Sequence, residues 1–186
     1  MRVAVSGSHG TGKSTLIAAF LDRRPGFVCE PEAYETLADD VSLTEGEGPA
    51  PEGLEALLDY TLAAVGRHPA GSRVVFERSP VDYLAYAAAS RGWAAGARAA
   101  FIRKYTPLVR GSLRGLDLIA FVPVSRGGPI RPRPGEDARF RRRVDERLRR
   151  ALLDDHHGLF GGGRPRVAEL PPDPARHLAE LLRLTD

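Results

Sequence analysis

The sequence is poor in cysteine, lysine, methionine and tryptophan. Its single cysteine, Cys29, has no partner for an internal disulfide, so a cross-linked scaffold is excluded. Of the 27 lysines and arginines, only Lys13 and Lys104 are lysine; arginine carries the positive charge. A formal net charge of +3 is by itself weak evidence for a nucleic-acid partner. No apolar stretch approaches the ~20 residues of a membrane-spanning helix. Nothing resembles a signal peptide. These absences lead to the expectation of a soluble, cytoplasmic protein that does not use the membrane as a partner.

What is present points to one compact enzyme domain over residues 1–186, because 42% hydrophobic residues can bury a single core and no shift in composition divides the chain. Arg2-Val3-Ala4-Val5-Ser6 is a short apolar run with β-branched residues. It breaks into Gly7-Ser8-His9-Gly10-Thr11-Gly12-Lys13-Ser14 and then into the helix-like Thr15-Leu16-Ile17-Ala18-Ala19-Phe20-Leu21. The middle segment fits the phosphate-binding pattern G-x-x-x-x-G-K-[ST], and strand and helix flank it as the pattern requires. Glycines allow a tight turn whose N–H groups converge on an anion, and the following helix adds the positive end of its dipole. Residues Gly7 to Thr15 are thereby predicted to bind the phosphates of ATP. In that pattern Lys13 reaches the β- and γ-phosphates and the Ser14 hydroxyl holds Mg²⁺. His9 occupies a variable position of the loop and gains no catalytic role.

Four further strands follow. Phe27-Val28-Cys29 is a short apolar run ended by Glu30-Pro31-Glu32, so Glu30 is expected at the carboxyl end of a strand, the edge where open α/β sheets bind ligands. A solvated acidic turn is the alternative. Residues 33–40 read as helix, and Leu43 to Pro51, rich in glycine, proline and acid, as an exposed mobile loop. Leu54, Leu57, Leu58, Leu62 and Val65 define one face of a helix over 52–65. Arg73-Val74-Val75-Phe76 is the third strand and runs into Glu77-Arg78-Ser79-Pro80. There a carboxylate can serve Mg²⁺ and a guanidinium can grip phosphate, or the two can form a structural ion pair capping the helix that begins near Asp82. A helix within 92–111 is expected to end or kink at Thr106-Pro107. Leu116 to Val124 is the strongest buried-strand signal, and Arg166 to Leu170 is the fifth strand, followed by a closing helix over 175–184.

The order of the Gly7–Ser14 loop, Cys29-Glu30-Pro31 and Phe76-Glu77-Arg78-Ser79 before a tyrosine-containing helix resembles the deoxynucleoside kinases. Ser79-Pro80-Val81-Asp82-Tyr83-Leu84-Ala85-Tyr86 and the shorter plan are similar to bacterial nicotinamide riboside kinase-like, AAA-type P-loop ATPase proteins. The resemblance implies that Glu30 positions and deprotonates an acceptor hydroxyl, and that Glu77 and Arg78 serve magnesium and the phosphates. It also implies a three-layer α/β/α P-loop fold around a five-stranded parallel sheet of order 2-3-1-4-5. The chain departs from that family in having no glutamine suited to reading a nucleobase.

Between Arg126 and Arg150 stand ten arginines and four acids. Residues 125–150 look like the lid of small P-loop kinases: a proline-broken loop, then a helix with Phe140, Val144, Leu148, Ala151 and Leu152 inward. Arg139 and Arg143 are the arginines expected to meet the triphosphate. A nucleic-acid surface would use the same arginines, but no stacking aromatics interleave with them; a merely solvated helix face is the third reading. His156 and His157 before Gly158 read as a helix end rather than a metal site. Two function classes follow: an ATP-dependent kinase acting on a hydroxyl of a small, nucleoside-like metabolite, or a nucleoside triphosphatase serving as a switch or partner-binding module. Neither the guanine-reading Asn-Lys-x-Asp string nor the transporter Leu-Ser-Gly-Gly-Gln string occurs.

Overall fold

The structure is a computed structural model, and it describes residues 1–37, 43, 44, 48–124, 137–161, 163 and 165–186. In chain order the elements are β1 (Arg2–Ser6), α1 (Lys13–Arg23), β2 (Val28–Glu30), α2 (Ala33–Leu37), β3 (Leu43–Thr44), β4 (Gly48–Pro49), α3 (Pro51–Arg67) and β5 (Val74–Glu77). After these come α4 (Pro80–Ala89), α5 (Ala95–Leu113), β6 (Leu118–Phe121), α6 (Ala138–Leu152), β7 (Arg166–Glu169) and, after a short 3₁₀ turn, α7 (His177–Leu184).

Five strands form a parallel sheet in the order β2-β5-β1-β6-β7. Ranked along the chain among themselves, these strands stand 2-3-1-4-5, the arrangement that the sequence resemblance implies. Val3 pairs with Val75 and Leu118, and Ala4 with Phe76 and Ile119. Because strand side chains alternate between faces, the two registers feed two cores. Val3, Val5, Val75, Leu118 and Ala120 pack with Leu16, Ile17 and Phe20 of α1 and Leu181 and Leu184 of α7. Ala4, Val74, Phe76, Ile119 and Phe121 pack with α3, α4, α5 and α6. Central strands buried on both faces explain the near-continuous apolar runs. The helix faces expected on α3 and α6 are the ones turned inward, with Leu54, Leu57, Leu58, Val65, Phe140, Val144 and Leu148 all buried.

Two local expectations change. The helix α5 does not end at Pro107 but continues through it to Leu113. Pro107 lies on the exposed face, and the neighbouring Thr106 hydroxyl donates to the Ile102 carbonyl at 2.6 Å. The stretch from Leu43 to Pro51 was expected to be exposed and mobile, yet its second half is docked. Gly48 and Pro49 pair with Thr44 and Leu43, and the Trp93 indole N–H donates to the Pro49 carbonyl at 2.8 Å. Gly48 has φ 95° and no room for a side chain, since a Cβ there would lie 2.5 Å from Ser90 Oγ and 2.7 Å from Phe140 Cζ. The expected lid loop, with Arg126, Arg131 and Arg133, lies outside the described residues, as do positions 38–40 of the expected second helix.

Candidate active site

All five parallel strands point their carboxyl ends toward one edge, and the segments leaving them there supply the site. β1 leads into the glycine loop. Gly10 and Gly12 adopt φ 64° and 85°, a left-handed backbone that favours glycine. A Cβ on Gly7 would lie 2.7 Å from the Val122 carbonyl oxygen, so the close approach of the loop to the end of β6 excludes any side chain there. Gly12 caps α1, whose first turn contains no acidic side chain to offset its positive end. Lys13, Ser14 and Thr15 form that turn, with Ser14 and Thr15 exposed.

Inside the loop the Lys13 ammonium and the Thr11 hydroxyl both donate to the Ser8 carbonyl at 3.0 Å. Lys13 is buried, and its pKa is lowered to about 8 by that burial and then by Arg78, against the opposing pull of Glu32, Asp82 and Glu77. The Ser14 hydroxyl donates to Glu77 Oε1 at 2.9 Å. Burial raises the Glu77 carboxyl above its ordinary range despite Lys13 and the Ser14 hydroxyl. His9 donates its backbone N–H to Tyr86 Oη at 3.0 Å, and its ring stacks on Phe140 of α6 at 5.9 Å.

Arg78, the residue after β5, is buried and has φ 76°, a conformation that costs a bulky side chain ~1–3 kcal/mol unless its surroundings hold it there. They do so on every side. Its Nε donates to Glu32 Oε1, its Nη1 donates to the Gly7 carbonyl at 2.9 Å, Asp82 Oδ1 lies 3.5 Å from Nη1, and the guanidinium sits 5.1 Å over the Tyr86 ring.

The acidic residue facing the loop is not the expected one. The Glu30 carboxylate is taken by Arg67 Nη2 at 2.5 Å and His68 Nε2 at 2.8 Å. Glu30 is in register with Phe76 on the face of the sheet that α3 covers, so strand alternation turns it toward the carboxyl end of α3. Pro31 then bends the chain, and Glu32 reaches Arg78. Burial by itself would raise the Glu32 carboxyl, but Arg78 and Lys13 outweigh burial and hold it below its ordinary range. Glu32, Asp82 and Glu77 are the carboxylates that act on Lys13.

The two lid arginines singled out from the sequence have other neighbours. Arg139 is exposed, and its backbone N–H donates to the Asp137 cap at 2.7 Å. Arg143 lies over the Phe140 ring and donates from Nε to the Ala89 carbonyl at 3.3 Å, closing the end of α4. Arg141, passed over in the sequence, is buried at 5% exposure, and its Nε has no hydrogen-bond partner among the described residues. One turn on, Asp145 accepts the Val124 N–H at 2.8 Å, so this face of α6 lies over the end of β6, next to the glycine loop. An arginine at helical position i with an acid at i+4 was a usable signal; the run of three arginines, 141–143, concealed it. Asp82, the acidic member of the Ser79–Asp82 capping box, was legible as a helix cap but not as a partner of the loop. Among the described residues no cluster of three or more metal-ligating side chains occurs, and no helix is long and apolar enough to cross a membrane.

A glycine loop between a central parallel strand and a helix, with a buried lysine at its end and a serine–carboxylate pair beside it, defines a P-loop protein. The sequence pattern of an AAA domain family matches residues 2–158, and the chain belongs to that family. Among solved structures it is similar to the deoxyadenosine kinase from M. mycoides with bound dATP, at 14% identity and a TM-score of 0.63, with all of both chains covered. The same kinase with products dCMP and a flexible dCDP bound matches at 12% identity and a TM-score of 0.68, over 100% of this chain and 98% of that one. With bound dCTP the figures are 14% and 0.63, over the same shares. The protein therefore has the fold of P-loop nucleoside kinases. Comparison with curated proteins finds no match.

Proposed function

We propose that the protein is a small-molecule kinase, a single catalytic domain that transfers the γ-phosphoryl group of ATP to a hydroxyl of a nucleoside-like metabolite. The observation that carries this reading is Glu32: a carboxylate two residues beyond β2, bound to Arg78 and acting on Lys13. Plain triphosphate hydrolysis needs only a positioned water, whereas transfer to a hydroxyl calls for a group that orients that hydroxyl and receives its proton. Held below its ordinary pKa, Glu32 is anionic at neutral pH and suited to accept a hydrogen bond from the acceptor. Its weak basicity makes orientation its larger contribution. Lys13, together with the loop amides of Gly7 to Ser14, balances phosphate charge as it shifts toward the leaving oxygen.

Mg²⁺ fits the site, since one hydroxyl and one carboxylate stand together in Ser14 and Glu77, and Mg²⁺ needs only one or two protein ligands besides phosphate oxygens and water. There it would neutralise charge on the β- and γ-phosphates. Arg141 is the lid arginine best suited to meet the triphosphate, because a buried guanidinium with an unpaired Nε–H gains most from an anion. The acceptor is read as a small molecule rather than nucleic acid, because no stacking aromatics interleave with the exposed arginines of the helix.

The test is a panel of nucleosides, nucleotides and other hydroxyl metabolites scored for acceptor-dependent ADP release. At least one acceptor should stimulate release well above the basal rate. Rapid basal hydrolysis that no acceptor stimulates would replace the kinase by a triphosphatase.

A further inference from the structure

The phosphate loop is held by more than its own strand and helix. The N–H of Gly7, its first residue, donates to Asp82 Oδ1 at 3.0 Å, while the Gly7 carbonyl accepts from Arg78 Nη1 at 2.9 Å. Asp82 Oδ1 is also 3.5 Å from the same Nη1. Asp82 Oδ2 accepts the Ser79 N–H at 3.0 Å and the Ser79 hydroxyl at 2.9 Å, and that hydroxyl accepts from Ser6 Oγ at 2.7 Å. Asp82 is fully buried, and both of its oxygens are occupied. One helical turn further, Tyr86 Oη accepts the His9 N–H. A single face of α4 thus grips the loop at two residues.

Arg78 extends this connection to the acceptor side, since its Nε holds Glu32. The chain Gly7–Asp82–Arg78–Glu32 runs unbroken from the donor loop to the acceptor carboxylate. Both anions and the Gly7 carbonyl hold the guanidinium of Arg78 while its backbone stands at φ 76°.

We propose that Asp82 is a positioning residue for phosphoryl transfer: its carboxylate fixes the entry of the phosphate loop and Arg78 in one register, so that the loop and Glu32 move as one unit. Asp82 itself touches no substrate. Its effect on turnover rests on the kinase reading above; its effect on the loop does not.

Asparagine at position 82 is the decisive change. Whichever way its amide turns, an N–H donor is pushed against the donors of Gly7 or Ser79, so the side chain is displaced and the contact to Gly7 is weakened or lost, and Arg78 loses an anion. Ser79→Ala is the control, because it weakens the same helix cap while leaving Oδ1 on Gly7 and Arg78. Both variants should melt at lower temperature. Only Asp82→Asn should speed amide exchange at Gly7 by at least ~10-fold and lower kcat by about 10²-fold with KM for ATP within about threefold, the scale set by a 1 Å misplacement of reacting groups. If Asp82→Asn does not fold, Asp82→Glu takes its place: the charge is kept but displaced by one methylene, and the same two readouts should move, less strongly. Equal effects of Ser79→Ala and the position-82 variant on melting, exchange and kcat would reduce Asp82 to a helix cap and overturn the proposal. Wild-type Gly7 exchange in the position-82 variant would overturn it as well. Should the wild type phosphorylate no acceptor, the kinase reading falls, and Gly7 exchange still decides the role of Asp82.

Discussion

Replacing Glu32 by glutamine separates the two carboxylates that flank Pro31. The substitution keeps shape and one hydrogen-bond acceptor but removes the charge that Arg78 faces. Arg78 is buried and, among the described residues, would retain Asp82, at 3.5 Å, as its ion-pair partner. A hydrogen bond to a charged group contributes ~1.5–3 kcal/mol. Glutamine keeps part of that, and the Glu32 side chain is 22% exposed, so a stability loss of about 1–2 kcal/mol is expected. The pH dependence carries a sign. Because the folded Glu32 carboxyl lies below its ordinary 4.5, its contribution is fully present above that value and fades as the pH falls through the lower folded value. The stability gap between wild type and Glu32→Gln should therefore be widest near neutrality and close in acid. For the reaction, loss of a group that orients and deprotonates the acceptor corresponds to about 10²–10⁴-fold in kcat, or ~2.7–5.4 kcal/mol, with the Kd for ATP within about threefold. Glu30→Gln breaks a pair whose Arg67 side is half exposed; such pairs contribute ~0–1 kcal/mol, and turnover should stay within about threefold of wild type. Thermal melts over a pH series, calorimetric ATP titration and coupled ADP release measure all of this. Acceptor phosphorylation abolished by Glu30→Gln and preserved by Glu32→Gln would refute the assignment.

Three further outcomes are expected. Lys13→Ala should keep the fold and cut turnover by at least ~100-fold, the cost of removing one preorganised electrostatic group; wild-type turnover in a folded variant would dismiss the phosphate loop as a nucleotide site. Arg141→Met should leave the melting temperature unchanged or raise it, because it removes a buried charge with an unpaired Nε–H, while weakening ATP binding by ~10-fold, the loss of about one charge-assisted contact; a lower melting temperature with unchanged ATP affinity would make Arg141 structural. Gly48→Ala should destabilise by about 1–3 kcal/mol through overpacking against Phe140 and Ser90 at a positive φ; chemical denaturation reads this directly, and a neutral result would mean that the β3–β4 hairpin is not docked there.

The sequence determined the sheet, the phosphate loop and the helix faces, because each is written in a local period: β-branched runs for strands buried on both faces, glycines where the backbone must turn left-handed, and leucines at helical spacing. It also determined that carboxylates stand at the ends of β2 and β5. Which of Glu30 and Glu32 meets the loop was decided by tertiary structure. That choice depends on which face of the sheet α3 covers and on the pair Arg67 and His68 that α3 brings to Glu30, neither of which has a local signature; Pro31 marked the end of β2 but not the direction the chain takes after it. The same holds for α6. Its amphipathic spacing showed an inward face, but the fates of its arginines follow from what lies opposite: the end of α4 for Arg143, solvent for Arg139, and the end of β6 for Arg141. Asp82 is the sharpest case, since Ser79 and Asp82 spell a helix cap locally, and only the crossing of α4 over the start of the phosphate loop gives that carboxylate Gly7 and Arg78 as partners.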